Sequence, residues 1–219
     1  MKINFKDSPE RKLFVTGCLH LNHNPSWETP LHKMRGYESS LEMTEDIISI
    51  INQTCKSSDV LLVLGDFCLN TSFEKFCSDV QRINPELWFV SGNHDSPWKK
   101  EFEKFCLAEY GFVLGDYRLG LWQDKIKVLG PYIETVWNKQ FIVANHYAFQ
   151  VWNGSHHGSW SLCSHSHGSL ETILPSFANG KQLDCGWDVH KKPLSFEEIK
   201  EIMSKKSISM PDHHNKETT

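Results

Sequence analysis

The first half of the chain alternates short apolar runs with amphipathic stretches that begin at capping signals. Three continuous apolar runs have the composition of strands buried on both faces of a sheet, at 12–17, 59–64 and 87–90. Three helices are predicted after them, from Ser39 to about 52, from Thr71 to about 83 and from 97 to about 107. The alternation indicates β-α-β units and parallel pairing. Segment 22–38 lacks such a pattern and is expected to be an exposed loop.

After Tyr110 the pattern changes to short apolar runs separated by Gly, Asp and Pro turns. Strands are predicted at 112–114, 117–121, 125–129, 140–144, 160–163 and 182–187. Their short turns favour antiparallel pairing and a second sheet. A capping box from Ser195 to Glu198 starts a last helix that ends near 203. Because no repeat or linker interrupts the chain, one domain is predicted over 1–204, followed by a flexible polar tail over 205–219.

Side chains of metal-binding type follow five of the predicted strands. They are Cys18 and His20, Asp66, Asn93 and His94, His146, and His165 and His167. The carboxyl ends of neighbouring strands lie along one edge of a sheet, which is where open α/β proteins bind ligands. A single buried His after a strand more often caps a carbonyl than binds a metal, but five strand ends with the same residue types are not explained in that way. The sequence therefore predicts a metal site along this edge.

Composition and charge narrow the functional classes. The 219 residues are 39% hydrophobic and 23% charged, which is typical of a globular core. The formal net charge is −4 and no long Lys/Arg block occurs, so no strong nucleic-acid-binding surface is expected, although a nucleic-acid substrate held locally by metals stays open. The seven cysteines form no CxxC pair, and no signal-like or membrane-spanning run occurs. These features favour a reduced, cytoplasmic protein without membrane contact.

The order of the motifs resembles that of the calcineurin-like metallophosphoesterases, in particular the compact single-domain kind of bacteria and their phages. That family reads Asp-x-His, Gly-Asp, Gly-Asn-His-Asp/Glu, a lone His and Gly-His-x-His. Here the pattern is carried by Cys18-Leu-His20, Gly65-Asp66, Gly92-Asn-His-Asp95, His146 and Ser164-His-Ser-His167. The resemblance covers about residues 12 to 190 and implies an α/β fold, a four-layer α-β-β-α sandwich with mixed central sheets.

The resemblance also implies a centre of two divalent cations, with Mn, Zn, Fe or Ni as the candidate metals. By position, one ion would take Cys18, His20, Asp66 and His167, and the other Asp66, Asn93, His146 and His165. Asp66 would bridge the pair, and a bridging water would become the nucleophile of an in-line displacement. His94 would be the catalytic acid or phosphoryl stabiliser. Asp95 would either orient His94 as a second catalytic residue or cap the following helix.

Two positions depart from the family pattern. Cys18 stands where the family has Asp. It is either a soft ligand that favours Zn or Fe, a bystander beside a weakened first ion, or the sign of a lost site. Ser164 stands where the family has Gly, and the turn is expected to accommodate it at a small backbone cost.

Three residues in the flanking loops are candidate substrate contacts. Arg35 has a side chain that can grip a phosphate bidentately, or it is a solvated loop charge. His23 follows the first motif closely enough to line the site. Trp152 would stack on a base or cover the edge of the sheet.

The expected function is therefore that of a metallophosphoesterase, an enzyme that hydrolyses a phosphodiester or a phosphomonoester. A small phosphoester or nucleotide is the expected substrate, and a nuclease of the same family is the alternative among enzymes. The contrasting alternative is a non-catalytic scaffold that keeps the fold and binds proteins, which Cys18 would favour. Retention of Asp66, His94 and the remaining ligand residues argues against the scaffold.

Overall fold

A parallel sheet with one antiparallel edge strand carries the first three motifs in the computed structural model, which describes residues 2–25, 29–69, 71–110, 125–173 and 180–208. Its strands are β2 (Leu13–Thr16), β3 (Val60–Leu64), β4 (Glu86–Val90), β5 (Ile126–Gly130) and β10 (Leu194–Ser195). Their spatial order is β10-β2-β3-β4-β5. The pairs from β2 to β5 are parallel, as the β-α-β pattern predicts, and β10 runs antiparallel to β2.

A second mixed sheet carries the remaining motifs. Its strands, in spatial order, are β1 (Lys2–Phe5), β6 (Tyr132–Trp137), β7 (Gln140–Asn145), β8 (Trp160–Cys163) and β9 (Gln182–Asp184). The β6–β7 hairpin is antiparallel, whereas β1 pairs with β6, β7 with β8 and β8 with β9 in parallel. The expected second sheet is confirmed, but antiparallel pairing holds only for the β6–β7 hairpin among its described strands. The chain between β7 and β8 is long enough for a crossover, which returns it to the same end of the sheet.

Within the described residues, seven helices flank the sheets, and serine side chains cap three of them. They are α1 (Leu31–Met34), α2 (Ser40–Thr54), α3 (Phe73–Arg82), α4 (Ser96–Tyr110), α5 (Leu170–Ile173), α6 (Trp187–His190) and α7 (Phe196–Ser204), with a 3-10 turn at Ser155–His157. Ser39 caps α2, and Ser195 closes the predicted capping box with Glu198 at α7. The cap of α3 is Ser72 and not the predicted Thr71, because the Ser72 hydroxyl accepts the Lys75 N–H.

Two apolar layers hold the sheets and helices together. Residues of the first sheet alternate between its faces, so Val63 packs toward α2, α3 and α4 while Leu62 packs toward the second sheet. Ile142 and Leu162 meet it from the second sheet, and all of these side chains are almost fully buried. Each contributes about 1.5–3 kcal/mol through burial. This arrangement confirms the expected mixed α/β architecture with two packed sheets.

Several sequence-based boundaries change in the structure. Strands β1 and β6 were not expected, and the predicted strands 112–114 and 117–121 lie outside the described residues. The predicted strand 182–187 ends at Asp184, and α6 follows it. Segment 22–38 is not an exposed loop, because it contains α1 and buries His23 and Leu31. Among the described helices, none combines the length and the apolar character needed to cross a membrane.

Candidate metal centre

The five motif loops meet at one edge of the two sheets, where backbone hydrogen bonds join them. The Cys18 N–H donates to the Gly65 carbonyl at 2.9 Å, and the His20 N–H donates to the Asp66 carbonyl at 2.9 Å. On the second sheet, the Ser164 and His165 N–H groups donate to the His146 carbonyl at 3.1 and 3.0 Å. The convergence predicted from the strand ends is therefore present.

Four of the predicted ligand residues have a left-handed backbone conformation, which residues other than glycine rarely adopt. Their φ angles are 50° for Cys18, 51° for His20, 54° for Asp66 and 48° for His167. Such residues cost on the order of 1–3 kcal/mol each and concentrate at functional sites. The rest of the fold holds these four side chains in one place against that cost.

Two glycines allow the loops after β3 and β4 to touch. A Cβ on Gly92 would lie 2.2 Å from Asp66 Oδ1 and 2.6 Å from the Asp66 nitrogen. Gly65 has a φ of +87°, and its Cβ would lie 2.5 Å from His146 Nδ1. Any side chain at either position would displace a predicted ligand, so both glycines are structural requirements of the site.

The first group of ligand atoms surrounds His20. Its Nε2 lies 3.3 Å from His167 Nε2 and 3.7 Å from Asp66 Oδ2. The Cys18 sulfur also lies within 4.8 Å of the ligand nitrogens of both histidines. Cys18, His20 and Asp66 are buried and form the floor, whereas His167 is exposed at the rim.

The second group surrounds His146, whose side chain is buried. Its Nε2 lies 2.9 Å from Asn93 Oδ1, 3.0 Å from His165 Nδ1 and 3.3 Å from Asp66 Oδ2. Asn93 and His165 are exposed and complete the rim on this side. The same Asp66 oxygen therefore faces both groups. The structure brings all seven predicted metal ligands together.

The chemistry of these atoms fits a divalent cation. His146 Nδ1 lies 2.8 Å from the Leu64 carbonyl, an acceptor, so in the neutral ring this nitrogen carries the proton. Nε2 then carries a lone pair and no proton. It faces the side-chain oxygens of Asn93 and Asp66, which are also acceptors. A proton on Nε2 could be donated to only one of these two oxygens. A cation placed between the atoms could be coordinated by Nε2 and by both oxygens at once.

Burial and neighbouring charges set the protonation of the floor. Burial lowers the pKa of His20 to about 3; the Asp66 charge works against burial and the nearby His167 and Arg35 work with it, so the ring is neutral and able to ligate. Burial works to raise the pKa of Asp66, but when His146 Nε2 is protonated its hydrogen bond and charge, with the His94 N–H, outweigh burial and bring that pKa to about 2. Burial raises the pKa of the Cys18 thiol well above its ordinary value. A thiolate there therefore needs a neighbouring cation.

Cys18 and Ser164, the two departures from the family pattern, are in contact with each other. The Cys18 sulfur lies 3.2 Å from the Ser164 carbonyl oxygen and 3.5 Å from its hydroxyl oxygen. The Ser164 hydroxyl in turn donates to the Leu64 carbonyl at 2.5 Å, beside His146 Nδ1. The residue at position 164 therefore shapes the environment of the thiol and of one imidazole.

Asp95 lies directly before α4, where its carbonyl accepts the Lys99 N–H at 3.1 Å, and its carboxylate is held by four other donors. One carboxylate oxygen accepts the N–H groups of Asp66 at 2.9 Å and Gly92 at 2.7 Å. The other accepts the Phe67 N–H at 3.0 Å and the Trp98 indole N–H at 2.8 Å. Burial raises the pKa of Asp95 while these donors counteract it. With four donors on its two oxygens, Asp95 fastens the β3 and β4 loops together instead of orienting His94.

His94 lies on the rim and is partly exposed. Its backbone N–H donates to Asp66 Oδ1 at 2.9 Å, and its ring centroid lies 5.6 Å from that of His20. The imidazole therefore stands beside the ligand groups without belonging to either.

The three candidate substrate residues occupy different surroundings. His23 is buried, its Nδ1 accepts the Leu31 N–H at 3.0 Å, and its ring lies 5.7 Å from that of His20. Trp152 is buried and donates its indole N–H to the Ser159 hydroxyl at 3.0 Å within its own loop. The Arg35 guanidinium is not a solvated loop charge, since its side chain is 2% exposed and pairs with Asp188.

Two residues of the site were not singled out from the sequence. Asp188 accepts from His167 Nδ1 at 2.7 Å, and Tyr147 donates its hydroxyl to Asn93 Oδ1 at 3.3 Å. Tyr147 is 47% exposed and its ring lies 4.6 Å from that of His165. Tyr147 lies just after β7, where the strand-end signal that located the other residues could have found it, whereas Asp188 lies within the short helix α6.

Two packed mixed sheets with metal-ligand residues at their strand ends define the metallophosphatase fold. The chain matches the calcineurin-like phosphoesterase family over residues 11–184 and belongs to that family, as the motif order predicts. Members of this family are metal-dependent, and the described residues include candidate ligand groups. A search of curated proteins found no match.

Two solved structures with low sequence identity to this chain were found in a structural comparison. A protein of unknown function from Aquifex aeolicus, AQ665, is 13% identical with a TM-score of 0.59, covering 88% of this chain and 99% of its own. This likeness shows the fold alone. The nuclease MPE of Pseudomonas putida is 17% identical with a TM-score of 0.39, covering 73% of this chain and 63% of its own.

Proposed function

We propose that this chain is a phosphoesterase with a centre of two divalent cations. One ion is assigned to Cys18, His20, Asp66 and His167, and the other to Asp66, Asn93, His146 and His165. The observation that carries the proposal is the position of Asp66 Oδ2, which lies 3.7 Å from His20 Nε2 and 3.3 Å from His146 Nε2. One carboxylate oxygen thus faces both groups of nitrogen ligands, as a bridge between two ions requires.

When bound, the two cations would supply Lewis acidity and a water that loses its proton near neutral pH. The chain's own residues then position and protonate the substrate. We assign His94 the role of acid at the leaving oxygen, because its ring stands at the open rim beside His20 and its backbone is held by Asp66. Asp95 is assigned as a positioning residue that keeps the Asp66 and Asn93 loops in register.

The rim favours a small phosphoester over long nucleic acid. Asn93, His165 and His167 are exposed, so a terminal or small phosphoryl group can approach from solvent. Tyr147 offers a half-exposed ring beside His165, which suits the aromatic part of a nucleotide or aryl ester. With a net charge of −4, the chain has little general attraction for a polyanion. His23 stands behind His20, and Trp152 is assigned to loop packing.

A non-catalytic scaffold is the second candidate, and the surroundings of Cys18 favour it. The buried thiol lies 3.2 Å from the Ser164 carbonyl, and a neutral S–H satisfies that contact without any cation. In that case the position formed by Cys18, His20, Asp66 and His167 would bind its ion weakly or not at all. The two candidates differ in bound metal and in activity, so one experiment separates them.

The test measures metal content and hydrolysis together. The full chain is stripped with a chelator and reloaded with Mn²⁺, Zn²⁺, Ni²⁺ or Fe²⁺. Bis(4-nitrophenyl) phosphate, 4-nitrophenyl phosphate and a single-stranded oligonucleotide serve as substrates. We expect two ions per chain and metal-dependent hydrolysis of an aryl ester. Inactivity with every ion and an empty centre would favour the scaffold, and faster cleavage of the oligonucleotide would favour a nuclease.

A further inference from the structure

A partly buried ion pair lies directly behind the first group of ligands. Arg35 Nε and Nη2 donate to the two oxygens of Asp188 at 2.8 Å each, in a bidentate arrangement. Asp188 Oδ2 also lies 2.7 Å from His167 Nδ1. The arginine and the aspartate are 153 positions apart in the chain, so only the fold creates this pair.

The contact with Asp188 determines which nitrogen of His167 is available as a ligand. A carboxylate accepts and does not donate, so Nδ1 of His167 carries the proton that joins them. Nε2 then presents its lone pair, and this atom lies 3.3 Å from His20 Nε2. A carboxylate that holds the outer nitrogen of an imidazole also fixes the orientation of the ring.

Arg35 extends the same support to the first motif. Its Nη2 donates to the Cys18 carbonyl at 2.7 Å and its Nη1 to the Leu19 carbonyl at 2.8 Å. These carbonyls belong to the segment in which Cys18 and His20 have positive φ. One guanidinium therefore connects both segments that supply the first group of ligands. Its N–H groups are engaged inside the protein, so the structure does not offer this residue as the phosphate grip considered from the sequence.

We propose that Arg35 and Asp188 are positioning residues that assemble the first metal position from two distant segments. The inference rests on the proposed two-ion centre, and it adds that the two metal positions depend on different supporting residues. The His20–His167 position depends on the ion pair, whereas the His146–His165 position, held by the Leu64 carbonyl and Asn93, does not.

The test measures the affinity of each metal position in the full chain. Mn²⁺ and Co²⁺ binding are followed by calorimetry and elemental analysis for wild type, Asp188→Asn and Arg35→Lys, with the visible absorption of Co²⁺ reporting ligand geometry. Asparagine carries no charge and, whichever way its amide turns, leaves at least one Arg35 donor facing an NH₂ group, whereas lysine keeps the charge of Arg35 without the fork. We expect one of two ions to bind about 10- to 100-fold more weakly and its Co²⁺ spectrum to change, while the other ion binds as in wild type.

Two control variants separate positioning from charge and from general stability. Lys191→Gln removes an exposed cation 3.6 Å from the same Asp188 carboxylate and should leave both ions unaffected. Asp59→Asn weakens a different buried carboxylate, which accepts the Lys12 and Lys56 N–H groups at the other end of β3, and should lower stability without changing metal affinity.

The outcomes distinguish this inference from the function on which it rests. A wild-type chain that binds no divalent ion overturns both. A wild type that binds two ions, with variants that bind both equally well, overturns the positioning role alone. Equal weakening of the binding of both ions, with a loss of stability like that of Asp59→Asn, also overturns it, because the pair would then be a general structural support.

Discussion

Replacement of Asp95 by asparagine should destabilise the metal-free protein far more than the change of one oxygen for an NH₂ group suggests. The buried carboxylate accepts four N–H groups, two on each oxygen. Asparagine keeps one oxygen and places donors where the other oxygen was. Whichever way the amide turns, two buried N–H groups lose their acceptor and face another donor.

The size of the effect follows from the number of lost partners. A buried donor left unsatisfied costs about 1–3 kcal/mol, so two of them predict a loss of about 2–6 kcal/mol. That is a large part of the about 5–15 kcal/mol by which native proteins are stable. Asp59 is a matched comparison, because its buried carboxylate accepts one backbone N–H on each oxygen, from Lys12 and Lys56. Asp59→Asn should lose one partner and about 1–3 kcal/mol.

The measurement is urea unfolding of wild type, Asp95→Asn and Asp59→Asn in the presence of a chelator, followed by tryptophan fluorescence. The free energy of unfolding comes from the midpoint and slope of each curve. A loss below about 1 kcal/mol for Asp95→Asn would refute the four-donor account, since even one orphaned donor costs about that much. A larger loss of unfolding free energy for Asp59→Asn than for Asp95→Asn would refute the premise that the loss scales with the number of orphaned donors.

Three further predictions concern separate parts of the chain. His94→Gln should lower the hydrolysis rate about 100- to 10,000-fold with unchanged metal content, and loss of metal would contradict a role outside the ligand set. Cys18→Asp should raise the Mn²⁺-supported rate, more so with Ser164→Gly, which removes the hydroxyl 3.5 Å from the sulfur. An unchanged rate and metal content would count against Cys18 as a ligand. Lys192 and Ser195 outweigh burial and lower the pKa of Glu198 from 4.5 to about 2. Its contribution to stability is therefore present above about pH 4.5 and lost as the pH falls through about 2. Glu198→Gln should lower the free energy of unfolding by about 0.5–2 kcal/mol at pH 7. Urea unfolding at several pH values should show this difference shrinking as the pH falls from about 4.5 to about 2. Glu197→Gln is the exposed control.

Local sequence patterns were sufficient for the parts of the fold that depend on near neighbours. Continuous apolar runs located β2, β3 and β4, and capping signals located the starts of α2 and α7 within a residue. At α3 the start moved by one residue, because Thr71 and Ser72 are both good caps and only the backbone decides between them. The β1 strand escaped prediction because it is four residues long and pairs only with β6, far away in the sequence.

The candidate site divides in the same way. The sequence by itself determined which residue types follow which strands, because a strand end and its turn are local features. The order of these motifs indicated the family, and the resemblance implied the candidate ligand set. Only the tertiary structure decided what supports that set. The four donors of Asp95 come from three segments, and Arg35 meets Asp188 across 153 positions. Such partners depend on how separate loops pack at a common edge, and neither hydrophobic periodicity nor capping carries information about that packing.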